Sequence, residues 1–309
     1  MLDVEVMDDK VKKTVDMKIL LPLMLTSGGV YIALGSMQVL PLIQIITKPL
    51  PIWLLIAYLW AYHSSEMPNH VLYNKIFMTL GLCFSSAGDI MLNLHDVKIQ
   101  ASFLVHIENK LGGGVFFMLG LILFLIAHIM YTICFSIEGT REMGSRIAAV
   151  LRFRCSRRSV TMCLALLVPV AVYISTLYWA TINIGYMPSF FRLPVLIYFI
   201  ALSIFAWRVI MRFDSPTLKD LLSKITRNVT DQQKIQQSSI KFYQIIRVLG
   251  AVLFLVSDSA VATSAFNILN IPRTLDMLFV MVTYYASQLC LSYSVSEYAH
   301  QWIVNKKQE

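Results

Sequence analysis

The chain has 309 residues, 57% of them hydrophobic and 14% charged, with a formal net charge of +8 and a mean hydropathy of +0.65. A soluble domain cannot bury that apolar share within itself, so the composition excludes an ordinary water-soluble globule and names the bilayer as solvent. It also removes the nucleic-acid reading of the positive charge, which in a membrane protein follows from the orientation bias of cytosolic loops.

Residues 1 to 18 form a polar, mixed-charge leader. The apolar run behind it lacks a following small-residue cleavage site, so it reads as a retained helix rather than a signal peptide. Apolar runs long enough to cross about 30 Å of hydrocarbon then recur along the chain. Breaking them at polar and proline-bearing segments predicts an all-α, polytopic membrane protein of about eight transmembrane helices. The expected spans are 19 to 40, 49 to 64, 73 to 94, 112 to 137, 160 to 184, 190 to 212, 243 to 268 and 275 to 300. Together they form a single transmembrane domain over 19 to 300, followed by a tail at 301 to 309. Proline opens the second span (Pro49, Pro51) and lies early in the sixth (Pro194), where a missing N–H costs little.

Lys and Arg crowd the leader, the connection at about 139 to 159, the connection at about 214 to 241 and the tail. Those segments are therefore expected in the cytosol, with both termini on that side. The stretch from Ser215 to Ser239 has no apolar face and reads as a loop. The tail ends Lys306-Lys307-Gln308-Glu309, which is similar to the dilysine address of endoplasmic-reticulum membrane proteins. The five cysteines sit mostly inside apolar runs without metal-ligand spacing, and read as small core residues.

A carboxylate at bilayer depth costs about 2.5 to 3.5 kcal/mol on insertion scales, so each one asks for a reason. Two stand out. Asp89 lies late in the third span and Asp258 in the seventh, each eight residues after a glycine, Gly81 and Gly250. Helical spacing puts Ser85 and Asn93 on the Asp89 face, and Ala251, Ala262 and Ala265 beside Asp258. Both spans run in the same direction, so the carboxyls lie in the same half of the bilayer and are able to share one cavity. Intramembrane ionisable groups are functional by default; the plainer alternative is that each Asp is capped by Ser or Thr, or paired with Lys48 or Arg192, to fix the bundle.

Other polar groups fall at compatible depths. Lys48 stands at the mouth of the second span, as an interfacial snorkeller or a site cation. His128 lies in the fourth with Tyr131, as a hydrogen-bonded core residue or a lining residue. Tyr284, Tyr285 and Gln288 share one side of the eighth span, the tyrosines reading first as packing and interface residues. A faint echo, Lys48-Pro49-Leu50-Pro51 against Arg192-Leu193-Pro194, suggests a four-plus-four pseudo-repeat.

Taken in order, Lys48-Pro49-Leu50-Pro51, Gly81 to Asp89, Gly120 to Tyr131 with His128, Gly250 to Asp258, and Tyr284-Tyr285 with Gln288 make a set that resembles the YhhN-like lysoplasmalogenase family over about residues 45 to 292. The resemblance implies a hydrolase that cleaves the vinyl ether bond of a lysophospholipid, lysoplasmalogen, to a fatty aldehyde and a glycerophospho-ethanolamine or -choline. On that reading Asp89 and Asp258 are the acid/base pair, while Lys48, His128, Tyr131, Tyr284, Tyr285, Gln288, Ser85 and Asn93 line or support the substrate pocket. The scheme needs no cofactor and no metal, and no metal-binding motif such as His-Glu-x-x-His occurs. Two other readings stay open: a proton-coupled transporter, to which paired intramembrane carboxyls also belong, and an inactive lipid-binding relative.

Overall fold

A computed structural model describes residues 22–34, 41–61, 67–96, 114–137, 171–172, 175–183, 187–211, 232–266, 268–269 and 271–308. Its elements are helices: α1 (Pro22–Leu34), α2 (Pro41–Thr47), α3 (Leu50–Ala61), α4 (Asn69–Asp96), α5 (Val115–Ile137), α6 (Arg192–Met211), α7 (Gln232–Ala265) and α8 (Arg273–Gln308). A single 3₁₀ turn, Ser189–Phe191, leads into α6, and a helical stretch covers 175–183. Among the described residues, six segments are long and apolar enough to cross a membrane: Ile43–Ala61, Asn69–His95, Val115–Ser136, Ser189–Ile210, Phe242–Ala265 and Arg273–Ala299. The chain is a multi-pass membrane protein. The first expected span meets α1 and the fifth meets the helical residues 171–172 and 175–183, and the rest of each lies outside the described residues.

Three boundaries differ from expectation. The second span starts at Ile43 rather than at Pro49, because α2 precedes the prolines and a turn at Lys48 and Pro49 joins it to α3. The expected loop before the seventh span is helical from Gln232, since 232 to 249 contains neither Gly nor Pro and its Gln, Lys and Ile tolerate helix well. The last helix likewise runs on to Gln308. The leader, the 139 to 159 connection and residues 214 to 231 lie outside the described residues.

Lipid-facing surface is legible as an exposed apolar stripe. On α6, Leu193, Ile197, Ile200 and Ile204 are exposed, while Val195, Phe199, Leu202 and Phe205 are buried in the core. That is the helical period with hydrocarbon in place of water outside.

Glycines set how closely the helices pack. A Cβ at Gly81 of α4 would collide with the Tyr131 ring of α5, and one at Gly88 would stand 2.7 Å from Phe124. On the other side, a Cβ at Gly250 of α7 would meet Cys290 and Leu291 of α8 at 3.0 Å. Small residues thus let α4 approach α5 and α7 approach α8 through dispersion contacts, which carry helix association where lipid competes equally for apolar surface. Gly114, at φ +76°, leads into α5, and a Cβ there would press on Phe191; that left-handed geometry favours glycine.

Gly81→Ala is expected to destabilise the protein by about 1 to 3 kcal/mol, the usual cost of overpacking. Gly29→Ala, where a Cβ would meet nothing within 4 Å, is expected to be neutral or slightly stabilising. Thermal unfolding of both variants in detergent checks the pair; equal melting temperatures would contradict the packing account.

Candidate active site

The cavity is built by one half of the bundle. It takes the C-terminal parts of α4 and α7, the N-terminal parts of α5, α6 and α8, and Lys48 from the turn between α2 and α3. Counting the open solvent at its mouth, it spans about 690 Å³ of empty space. On each helix the lining residue nearest the middle is polar or aromatic: Asp89, Phe124, Phe199, Ser257 and Tyr284, with Tyr198 and Asp258 directly beside two of them. Toward the helix ends the lining turns apolar, with Leu92, Phe117, Val195, Ala262 and Met281. Phe117 gathers Phe191, Phe266 and His95 around itself, with ring centroids 5.2, 6.2 and 5.7 Å away.

Asp89 and Asp258 line this one cavity and both are buried. The surroundings of Asp89 are ionic. Lys48 Nζ stands 3.6 Å from its Oδ1, and Tyr284 donates its hydroxyl to Oδ2 at 2.8 Å. The proline turn positions that ammonium. The Ile52 N–H bonds Pro49 O at 3.0 Å, and the Lys48 carbonyl accepts the Tyr285 hydroxyl at 2.8 Å. Tyr31 of α1 lies beside Lys48, its ring centroid 6.0 Å from Nζ, and donates to Asn93 Oδ1 at 3.2 Å. Asn93 is one helical turn past Asp89, so α1 is drawn onto the same face of α4.

Beneath Asp89 lies a closed polar ring. Tyr131 donates to Gln288 Oε1 at 2.9 Å. Its single hydroxyl hydrogen is then spent, so Ser85, 3.0 Å away, donates to Tyr131. Gln288 Nε2 returns to Ser85 Oγ at 3.5 Å. Three fully buried side chains from three helices thus satisfy one another, as a polar group away from water requires.

Asp258 has different company. Tyr198 donates to its Oδ2 at 2.5 Å, and His128 Nε2 stands 3.5 Å from the same oxygen. His128 Nδ1 is 2.7 Å from Phe124 O; a carbonyl only accepts, so Nδ1 carries a hydrogen. The imidazole sits among the rings of Phe254, Tyr198, Phe205 and Tyr131, with centroids 4.8, 5.3, 5.6 and 6.5 Å away.

A family model of the YhhN family matches residues 43–295. The chain belongs to the YhhN family. No curated protein and no solved structure matches the chain. The matched stretch holds all of the residues that line the cavity.

Of the residues singled out from the sequence, Lys48, Asp89, Asp258 and Tyr284 line the cavity. Tyr285, His128, Tyr131, Gln288, Ser85 and Asn93 are buried behind that lining. Lys48 is not at a helix mouth but inside a membrane span at a helix break, with its side chain 8% exposed, because Pro49 and Pro51 mark a break there rather than a start. The tyrosines are not interface anchors: the hydroxyls of Tyr131, Tyr284 and Tyr285 are buried and bonded. Arg192 is exposed at the head of α6, away from an Asp-pairing role. Sequence reasoning missed Tyr198, the donor to Asp258. The sequence carried no signal for it: one tyrosine in a largely apolar span that also holds Ser203.

Lys48→Met leaves the Asp89 carboxylate buried without its cation, and is expected to cost about 3 to 5 kcal/mol. The double variant Lys48→Met/Asp89→Asn removes both charges and should recover most of that loss. Melting temperatures of wild type, both singles and the double close the cycle; purely additive losses would show that the pair is not coupled.

Proposed function

We propose that this YhhN-family chain is a lysoplasmalogenase, hydrolysing the vinyl ether of a single-chain ether phospholipid inside the membrane. The observation that carries the reading is the placement of two buried carboxyls on the wall of one largely apolar cavity within a membrane-spanning bundle. Family membership is consistent with it.

The chemistry asks for what the cavity offers. A proton goes to the β-carbon of the enol ether, and the C=C electron pair forms the new C–H bond, leaving an oxocarbenium ion. Water adds to the cationic carbon and gives up one proton to a base. The hemiacetal then loses its alkoxy group, which takes up the hydroxyl proton, and aldehyde and glycerophospho-base part. One carboxyl donates and the other accepts, as paired carboxylates do around the similar transition state of glycoside cleavage. Anionic Asp89 stabilises the cation, Lys48 offers charge to the substrate phosphate, and the apolar walls at Leu92, Phe117, Val195 and Met281 suit an alkyl chain.

One observation favours a second reading, a proton-coupled carrier. The span Ile43–Ala61 is interrupted at Lys48 and Pro49, and interrupted helices beside ionisable groups mark transport sites. On either reading we place the chain in the endoplasmic-reticulum membrane with both termini in the cytosol, a reading supported by the Lys306-Lys307 tail and the distribution of basic residues.

Purified protein in lipid nanodiscs is expected to release fatty aldehyde from lysoplasmalogen. Asp89→Asn and Asp258→Asn are each expected to reduce kcat by about 100-fold or more. Full activity in either variant removes that residue from the acid/base pair. Intact substrate with the wild type, together with proton-coupled uptake into vesicles, shifts the reading to the carrier.

A further inference from the structure

The two carboxyls stand in different company, and their neighbours divide the work between them. Asp89 faces an ammonium at 3.6 Å and a phenol O–H at 2.8 Å, both of which serve a carboxylate. Asp258 shares Oδ2 between the Tyr198 hydroxyl and His128 Nε2. The ring hydrogen of His128 is committed to the Phe124 carbonyl through Nδ1. In a neutral ring, Nε2 is therefore a bare lone pair. It is wholly buried, makes no hydrogen bond in the structure, and points at a carboxyl oxygen 3.5 Å away. Lone pair against lone pair repels, and a single proton on the carboxyl turns that contact into an O–H···N hydrogen bond. A carboxylic acid beside a neutral imidazole also leaves the aromatic box of Phe254, Phe205 and Tyr131 free of charge, whereas imidazolium and carboxylate would place two ions in it.

Resting on the hydrolase reading above, we infer that Asp258, held by His128 and Tyr198, is the general acid that protonates the enol ether, and that Asp89 is the carboxylate that takes the proton of the attacking water. A turn of the Asp258 carboxyl about Cβ–Cγ carries its O–H from the imidazole to the cavity, which the residue lines. His128 does not line the cavity; it is a positioning residue that keeps the proton ready. The balance closes within the site. Asp258 loses one proton to carbon, Asp89 gains one from water, and transfer across the shared cavity restores both. The groups facing Asp258 are His128 from α5 and Tyr198 from α6, with Asp89, Lys48 and Tyr284 across the cavity.

The test uses the full chain in lipid nanodiscs at neutral pH, with two readouts. In infrared difference spectra, the C=O stretch of a protonated carboxylic acid is expected in wild type, to persist in Asp89→Asn, to vanish in Asp258→Asn and to shift in His128→Gln. In turnover of lysoplasmalogen, His128→Gln is expected to lower kcat by about 100-fold, to leave KM within a few-fold, and to displace the limb of the pH profile that reports the acid. A band lost in Asp89→Asn, or untouched by both Asp258→Asn and His128→Gln, overturns the assignment, as does an unchanged kcat in His128→Gln. Should wild type release no aldehyde, the hydrolase reading fails while the infrared arm still decides which carboxyl holds the proton. If Asp258→Asn does not fold, the shift in His128→Gln, which keeps both carboxyls, carries the same decision.

Discussion

A negative charge inside a membrane protein must be balanced where it stands, and the pairing of Asp89 with Lys48 is the interaction around which the rest of the site is arranged. The ammonium reaches the carboxylate because the second span breaks at Pro49 instead of running on as regular helix, which turns Lys48 inward at membrane depth. That break would leave backbone groups wanting partners, and Tyr285 supplies one by donating to the Lys48 carbonyl. The neighbouring Tyr284 donates to the carboxylate itself. Two consecutive residues of α8 therefore hold the carboxylate and the backbone that carries its cation, and a membrane interior tolerates irregular backbone where such partners exist.

Close packing makes those hydrogen bonds possible. The Tyr131 hydroxyl reaches α4 because α4 presents glycine where α5 crosses it: Gly81 lies under the Tyr131 ring, and Gly88 lies under Phe124, which in turn packs edge-on against Tyr284 at 6.1 Å. Gly250 does the corresponding work where α7 meets α8. Each glycine that precedes an aspartate by eight residues is thus two turns away on the same helix, and sets the approach of a neighbouring helix, α5 for Gly81 and α8 for Gly250, while the carboxyls take their partners from other helices. Glycine normally weakens a helix; here the loss is offset by ring-on-backbone contact.

These causes also explain what was legible in the sequence. Hydrocarbon thickness dictates span length, so apolar runs located the six long helices, and carboxylates in such runs marked Asp89 and Asp258 without any knowledge of packing. The break at Lys48 was read as a helix start, because proline is as favourable at the first helical turn as it is at an interruption, and only the position of α2 distinguishes the two. Tyr198 was silent, since a tyrosine in an apolar span looks the same whether its hydroxyl meets water at the interface or an aspartate in the core. The polar helical extension from Gln232 was silent as well, because a helix outside the bilayer needs no apolar stripe to persist beyond a span that anchors it. The gaps at Lys48 and Tyr198 concern which partner a group meets across the bundle, and that is set by tertiary contact rather than by local pattern.

The layering of the cavity bears on how water is handled. Its polar groups lie toward the middle of the bundle and its apolar lining lies between them and the helix ends, where Phe117 packs with Phe191 and Phe266. A site open to bulk water from that end would have the reverse order. An apolar approach to buried carboxyls keeps the local dielectric low, which strengthens the Lys48 pair and the phenol hydrogen bonds alike. Within the cavity the groups that offer hydrogen bonds to water are those of Lys48, Asp89, Tyr198, Ser257, Asp258 and Tyr284. On the proposed hydrolase reading, a water held by one of those carboxyls attacks the oxocarbenium ion, and the order of proton transfer is a property of the side chains.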